Sequence, residues 1–220
     1  MLAAQGVNQY YGGSHTLWDI DLDVKAGDCL CLMGRNGVGK TTLLKVIMGL
    51  VPATSGKVRF EQTELLGKPP EAPDPEVLLD GERREDLTPL RHEADAGARG
   101  VPEKVLELFP ALKGMLKRRG GDLSGGQQQQ LAMGRALALD PKLLILDEPT
   151  EGIQPNVVAE IGDVIMRLAN EGVTVLLVEQ KLAFARRVAK SFCILDRGRT
   201  VAAGSIAELT DELVHRHLQV

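Results

Sequence analysis

The chain has 220 residues, of which 44% are apolar and 25% are charged, enough for one compact domain with its own core. Its 26 basic and 30 acidic side chains give a net charge of −4 without a long basic run, so we expect no nucleic-acid partner. The apolar runs of four to six residues are far shorter than the roughly 18 residues of a membrane span. With three cysteines and no signal-peptide pattern, the chain is predicted to be cytosolic.

Short apolar runs alternate with helical patterns along the chain. The runs predict buried strands at 29–33, 143–146, 173–178 and 192–195. Apolar residues at helical spacing follow the first two runs, at 44–48 and 157–168. Gly49 and Pro52 are predicted to end the first helix, and 196–198 to form a hairpin turn. This order predicts an α/β fold with a parallel sheet between helices.

The segment 68–100 breaks this pattern. It holds five of the 11 prolines and fourteen charged side chains, and it has no aromatic residue and no sustained periodicity. Two interpretations stay open: a variable surface insertion, or a stretch altered by a compensated frameshift. No strand is predicted within it.

A glycine-rich segment at 34–41, with the sequence Gly-Arg-Asn-Gly-Val-Gly-Lys-Thr, fits the pattern G-x-x-x-x-G-K-[ST] between a strand and a helix. Its backbone N–H groups and the start of the helix predict a binding site for phosphate. Lys40 is predicted to reach the β- and γ-phosphates, and the Thr41 hydroxyl to ligate Mg²⁺. A simple glycine turn would not require lysine followed by threonine.

Two acidic residues, Asp147 and Glu148, follow the predicted strand 143–146. At the carboxyl end of a strand they would lie where α/β proteins bind ligands. We predict that Asp147 holds the Mg²⁺ shell and that Glu148 orients or deprotonates the attacking water.

A second candidate anion site is the helix start at 123–127, Leu-Ser-Gly-Gly-Gln. Ser124 is predicted to cap the helix, and the glycines would expose its first N–H groups. An ordinary serine-capped helix after a glycine loop remains an alternative.

Taken in order, the segments 34–41, 123–127 and 143–150 resemble the Walker A, signature and Walker B motifs of ATP-binding cassette ATPases. More narrowly, 8–15, 121–130 and 151–155 resemble the second ATP-binding subunit of urea and branched-chain amino-acid importers, with the urea branch closer. The resemblance implies a P-loop NTPase (RecA-like) α/β core with a mostly parallel sheet, a small N-terminal antiparallel β part and a helical subdomain.

The resemblance also implies one ATPase domain over 1–220. Its core would comprise about 1–66 and 140–203, and the helical subdomain would follow the atypical segment 68–100 and extend to about 139. A capping box at Ser205 and Glu208 is predicted to open a C-terminal helix at 205–220.

The family's site residues can be carried onto matching positions. The implied ATP-binding residues are Tyr11, Gly34, Arg35, Asn36, Gly37, Val38, Gly39, Lys40, Thr41 and Thr42, with Tyr11 stacking on adenine. Mg²⁺ would be bound by Thr41 and Asp147. In a head-to-tail dimer the signature residues would act in trans, and these are Ser124, Gly125, Gly126 and Gln127. Ser124 and Gly126 of one subunit would contact the γ-phosphate held by Lys40 of the other.

Gln180 stands where cassettes usually carry histidine after the strand that follows Walker B. A glutamine can donate a hydrogen bond to the γ-phosphate but cannot accept a proton at neutral pH. The implied catalytic residues are therefore Glu148, as the main group, and Gln180.

The resemblance implies a subunit peripheral to the cytoplasmic face of the inner membrane, using ATP and Mg²⁺. It would pair with itself or with a paralogous ATPase subunit, drive transmembrane permease subunits, and depend indirectly on a periplasmic binding protein. Two rivals stay open. One is a soluble cassette ATPase of translation or DNA repair. The other is a nucleotide-binding module impaired in hydrolysis or coupling, because 68–100 lacks the family's Q-loop glutamine.

Overall fold

A computed structural model describes residues 1–66, 77–80, 101–116, 118 and 120–218, with 77–80 described by backbone only. Both interpretations of 68–100, and the missing Q-loop glutamine, therefore lie mostly outside the described residues. No helix within these ranges is long and apolar enough to cross a membrane.

The described chain forms ten strands and six α-helices. The strands are β1 (Leu2–Tyr11), β2 (Ser14–Val24), β3 (Cys29–Met33), β4 (Ser55–Phe60), β5 (Thr63–Glu64), β6 (Val77–Asp80), β7 (Leu143–Asp147), β8 (Thr174–Val178), β9 (Ser191–Asp196) and β10 (Arg199–Ser205). The helices are α1 (Lys40–Ile47), α2 (Glu103–Leu108), α3 (Gly125–Leu137), α4 (Pro155–Asn170), α5 (Leu182–Val188) and α6 (Asp211–His217).

Two sheets form the framework. The larger has the order β10-β9-β3-β8-β7-β6, and all its pairs are parallel except the β9–β10 hairpin. The smaller sheet, β2-β1-β4-β5, is antiparallel. The α/β fold class with a small N-terminal antiparallel part is therefore confirmed. The four predicted strands are β3, β7, β8 and β9, with ends within a residue of those expected.

Alternating side chains of the parallel strands fill two separate cores. On β3, Leu30 and Leu32 face the antiparallel sheet and α1, whereas Cys29, Cys31 and Met33 pack toward the other helices. Both faces are covered, which explains why these strands are continuous apolar runs. Burial raises the pKa of the Cys29 thiol to about 12, so this cysteine is a neutral core residue.

The helices follow their apolar periodicity. Buried residues of α4 include Ile161, Val164, Ile165 and Leu168, and this stripe packs against the large sheet. The first helix ends at Ile47, and Gly49 follows with a φ of 71°, the left-handed conformation that glycine adopts readily.

Two expectations need correction. Within the atypical segment, where no strand was predicted, β6 adds to the large sheet parallel to β7. This edge strand has only four residues and follows a proline-rich stretch. A segment this short shows little periodic pattern. The Ser205–Glu208 capping box is present, but it opens only the 3₁₀ turn Ile206–Glu208. The C-terminal helix, predicted from 205, starts at Asp211 after a second cap, Thr210.

Gly56 offers a test of how the small sheet packs. Its φ is 103°, and a Cβ there would lie 2.5 Å from the carbonyl oxygen of Gly6, where β4 passes an irregularity of β1. We expect Gly56→Ala to lower the free energy of unfolding by about 2–5 kcal/mol, through left-handed strain and overpacking. Urea denaturation measures this.

The matched control is Gly13→Ala, because a Cβ at Gly13 meets nothing within 4 Å. Its free energy of unfolding should stay within about 0.5 kcal/mol of the original protein. Equal effects of the two substitutions would contradict the packing described for β4.

Candidate functional site

The predicted site residues converge because β3, β8 and β7 are neighbours and run parallel. Their carboxyl ends lie at one edge of the sheet, and three loops leave from that edge: 34–39, 148–154 and 179–181. Such an edge is the usual ligand-binding position in α/β folds.

The phosphate loop is supported from behind by the β9–β10 hairpin. Gly34 has a φ of 153°, and a Cβ there would lie 2.5 Å from the Leu195 carbonyl oxygen, so only glycine fits. The Gly198 N–H donates to the Val38 carbonyl at 3.0 Å. At the other end, Gly39 caps α1 without a side-chain hydrogen bond. No capping side chain therefore covers the start of α1, as an anion site requires.

Lys40 lies inside this loop, with 5% of the residue exposed. Its Nζ donates to the carbonyl oxygens of Gly34 at 2.8 Å and Arg35 at 2.9 Å, and lies 3.9 Å from Glu148 Oε1. Burial lowers the pKa of Lys40, while the charges of Glu148 and Asp147 act in the opposite direction. The Lys40 ammonium thus lies between the carbonyl groups of the phosphate loop and the acidic pair Asp147 and Glu148.

Thr41 and Asp147 come together across the sheet edge. The Thr41 hydroxyl donates to Asp147 Oδ2 at 3.2 Å. Hydroxyl and carboxylate oxygens are the hard ligands that Mg²⁺ takes alongside water and phosphate oxygens, so the pair fits a magnesium site. Within the described ranges no three His, Cys, Asp or Glu side chains form a metal cluster.

Glu148 and Gln180 are in direct contact. Glu148 has a φ of 48°, and its N–H donates to the Val178 carbonyl at 2.9 Å. This left-handed turn directly after β7 is a strained conformation that clusters at functional sites. Gln180 Nε2 donates to Glu148 Oε1 and, at 2.7 Å, to Asn36 Oδ1. Gln180 therefore connects Glu148, the candidate base, to Asn36 of the phosphate loop. The sequence did not reveal this contact of Asn36.

The segment 123–127 forms the predicted helix start. The Ser124 hydroxyl accepts a hydrogen bond from the Gln127 N–H, and the Gln127 side chain accepts one from the Ser124 N–H. Ser124 and Gly125 are exposed, whereas Gly126 is buried. A Cβ at Gly126 would lie about 3.1 Å from the Val157 side chain and 3.2 Å from that of Ile153. Close packing against the start of α4 thus favours glycine at position 126. The motif alone did not reveal this packing.

Tyr11, at the end of β1, is 48% exposed. The adjacent Tyr10 stacks on His15 with ring centroids 4.0 Å apart, and His15 contacts Trp18 at 3.6 Å. One face of the Tyr10 ring is therefore covered by a protein neighbour. The remaining predicted ATP-binding residues, Arg35, Gly37, Val38 and Thr42, lie in the phosphate loop and the first turn of α1.

Sequence reasoning missed two buried polar residues beside the site, Thr150 and Glu179. Their hydroxyl and carboxylate are bonded to each other at 2.8 Å. The sequence feature that could have indicated this pair is Glu179, a carboxylate that directly follows the apolar end of β8 and precedes Gln180.

Comparisons with known proteins agree with this geometry. The family model described as "ABC transporter" matches residues 17–151. The high-affinity branched-chain amino acid transport ATP-binding protein BraG of Pseudomonas aeruginosa is 40% identical over 212 residues, which cover 91% of each chain. The probable branched-chain amino acid transport ATP-binding protein LivF of Archaeoglobus fulgidus is 33% identical over 96% of this chain and 94% of its own.

The fold matches solved cassettes as well. The crystal structure of the ADP conformation of an ATP-binding cassette of an ABC transporter superimposes with a TM-score of 0.80 at 26% identity, covering 98% of this chain and 97% of its own. A nucleotide-free cassette of an ABC transporter gives a TM-score of 0.78 at 25% identity. With its phosphate loop, acidic pair and signature helix in place, the chain belongs to the ABC transporter family and is one of its ATP-binding ATPase subunits.

Proposed function

We propose that this ATPase drives an importer for branched-chain amino acids or urea, as a head-to-tail dimer on the cytoplasmic face of the inner membrane. The observation that carries the proposal is the contact of Glu148 with both Lys40 and Gln180 at the phosphate loop. One domain over 1–220 would perform the reaction, with its core at about 1–66 and 140–203.

Nucleotide binding would use the loop 34–42. The Lys40 ammonium would neutralise charge on the β- and γ-phosphates, while the N–H groups at the start of α1 donate to them. The exposed ring of Tyr11 would stack on adenine, since Tyr10 is already stacked on His15. Thr41 and Asp147 would hold Mg²⁺, which supplies positive charge for the phosphates when bound.

Hydrolysis would depend on Glu148. Its carboxylate would accept a proton from the water that attacks the γ-phosphorus, as ADP leaves with the bridging oxygen. Gln180 would hold that carboxylate by its amide N–H and cannot take the proton itself. This division of roles supports Glu148 as the general base and Gln180 as its orienting partner.

The signature segment would complete the site in trans. Ser124 and Gly125 are exposed at a helix start, where the Ser124 hydroxyl hydrogen and the Gly125 N–H would donate to the γ-phosphate of a partner subunit, because the Ser124 N–H already donates to Gln127. Gly126 and Gln127 support that helix start from within the same subunit. A homodimer or a heterodimer with a paralogous subunit satisfies this arrangement.

The cargo is inferred from relatives and motifs. The names of the two branched-chain amino acid relatives favour an amino acid. The segments 8–15, 121–130 and 151–155 resemble both kinds of importer, with the urea branch closer. The ATPase would act on transmembrane permease subunits and serve a periplasmic binding protein indirectly.

A mixing experiment tests the shared site. Lys40→Ala removes the phosphate-loop charge and Ser124→Arg blocks the signature, so each variant alone should be inactive. In a random mixture of the two variants, about half of the dimers contain one copy of each variant. Each of these dimers has one intact site of two, so about a quarter of the original ATPase turnover should return. No recovery above the sum of the separate variants would contradict a head-to-tail homodimer.

The role of Gln180 is tested by the pH dependence of kcat. Because glutamine does not titrate, the original protein should lack an inflection near pH 6.5, and Gln180→His should introduce one there. Gln180→Ala should lower kcat about 10- to 100-fold through loss of a hydrogen bond to a charged group. An inflection near about 6.5 in the original protein would assign proton transfer to another group.

The cargo is tested by uptake. In a strain lacking this gene, plasmid-borne original chain should restore uptake of radiolabelled leucine, and Glu148→Gln should leave it about 100-fold lower or at background. Urea is measured in parallel. Restored uptake of urea alone would assign the cargo to urea, and restoration of neither would contradict the importer.

A further inference from the structure

A buried carboxylate, outside the roles assigned above, joins the loops after β7 and β8. Glu179 follows β8 and is 2% exposed. Its Oε1 accepts hydrogen bonds from the N–H groups of Gln180 and Lys181, each at 3.0 Å. Its Oε2 accepts one from the Thr150 hydroxyl at 2.8 Å. Both oxygens are therefore used within the protein.

A second bond crosses the same gap. Lys181 Nζ donates to the Thr150 carbonyl at 2.6 Å. The Thr150 latch, formed by Thr150, Glu179 and Lys181, thus connects the two loops through one hydroxyl and one ammonium. Thr150 has no exposed surface, so water does not compete for its hydroxyl.

Burying a carboxylate is unfavourable unless hydrogen bonds compensate, and here three of them do. A carboxylate held in this way fixes the backbone of the residues that bond to it. Of the two N–H groups that it accepts from the loop after β8, one belongs to Gln180, and the hydroxyl that it accepts from the other loop belongs to Thr150, two positions after Glu148.

We propose that Glu179 is a positioning residue for ATP hydrolysis, acting through the Thr150 latch to set the separation between the Glu148 carboxylate and the Gln180 amide. The proposal rests on hydrolysis at Glu148, as described under the proposed function. The Glu148–Gln180 contact and the latch join the same two loops. Loss of the latch would leave both catalytic groups present but free to separate.

The matched pair Thr150→Val and Thr150→Ser tests this role. Valine has nearly the same shape but no hydroxyl, so we expect kcat to fall about 10- to 100-fold. The Kd for a fluorescent ATP analogue should stay within about threefold, because the phosphate loop is untouched. Serine keeps the donor, and its kcat should return to within about threefold of the original protein.

The outcomes separate positioning from a merely structural role. Equal impairment by valine and serine would show that keeping the hydroxyl does not preserve kcat, and it would overturn the proposal. A parallel loss of kcat and nucleotide affinity, or a valine variant with unchanged kcat, would also overturn it. The original protein is assayed alongside, so absence of turnover there would count against the proposed hydrolysis at Glu148 and not against the latch.

A second variant serves if Thr150→Val does not fold. Lys181 is exposed, and Lys181→Met removes its bond to the Thr150 carbonyl without disturbing the core. We expect an unchanged melting temperature and a kcat reduced about threefold or more. An unchanged kcat in this variant would overturn the proposal.

Discussion

The register of three parallel strands determines where every candidate catalytic group lies. Val178 pairs with Leu32 of β3 on one side and with Asp147 of β7 on the other. Neighbouring strands are about 4.8 Å apart, so the residues that follow these positions emerge side by side within about 10 Å. A slip of one residue would exchange the two faces of a strand and expose its apolar side chains, so burial on both faces holds the register.

Within that framework, the polar groups of the site satisfy one another. Lys40 donates to carbonyls of its own loop, Glu148 accepts from Gln180, and the Thr41 hydroxyl donates to Asp147. Unpaired charges at this partly buried edge would be costly, so each has a partner. Phosphate oxygens compete with these partners for the same donors, so nucleotide affinity is the surplus of the new bonds over those they replace.

Much of this arrangement could be predicted from local sequence. The strand β3, the phosphate loop and α1 form a contiguous segment whose residue types alone indicate the structure, and the Ser124 cap depends on residues three apart. The Glu179–Thr150 bond and the packing of Gly126 on Ile153 join residues 27 to 29 positions apart. No local pattern encodes such pairs. The capping box at Ser205 was visible, but how far the helix continues depends on residues beyond the cap.

The loop 148–154 connects the two halves of the candidate site within one subunit. At its start Glu148 contacts Gln180, in its middle Thr150 is bonded to Glu179, and at its end Ile153 packs against Gly126 of the signature helix. Close packing transmits displacement because interiors hold few voids that could absorb it. A shift of Glu148 would therefore displace the helix start for which we propose contact with a partner subunit. The proposed catalytic side chain and the proposed partner surface are thus mechanically coupled within one subunit.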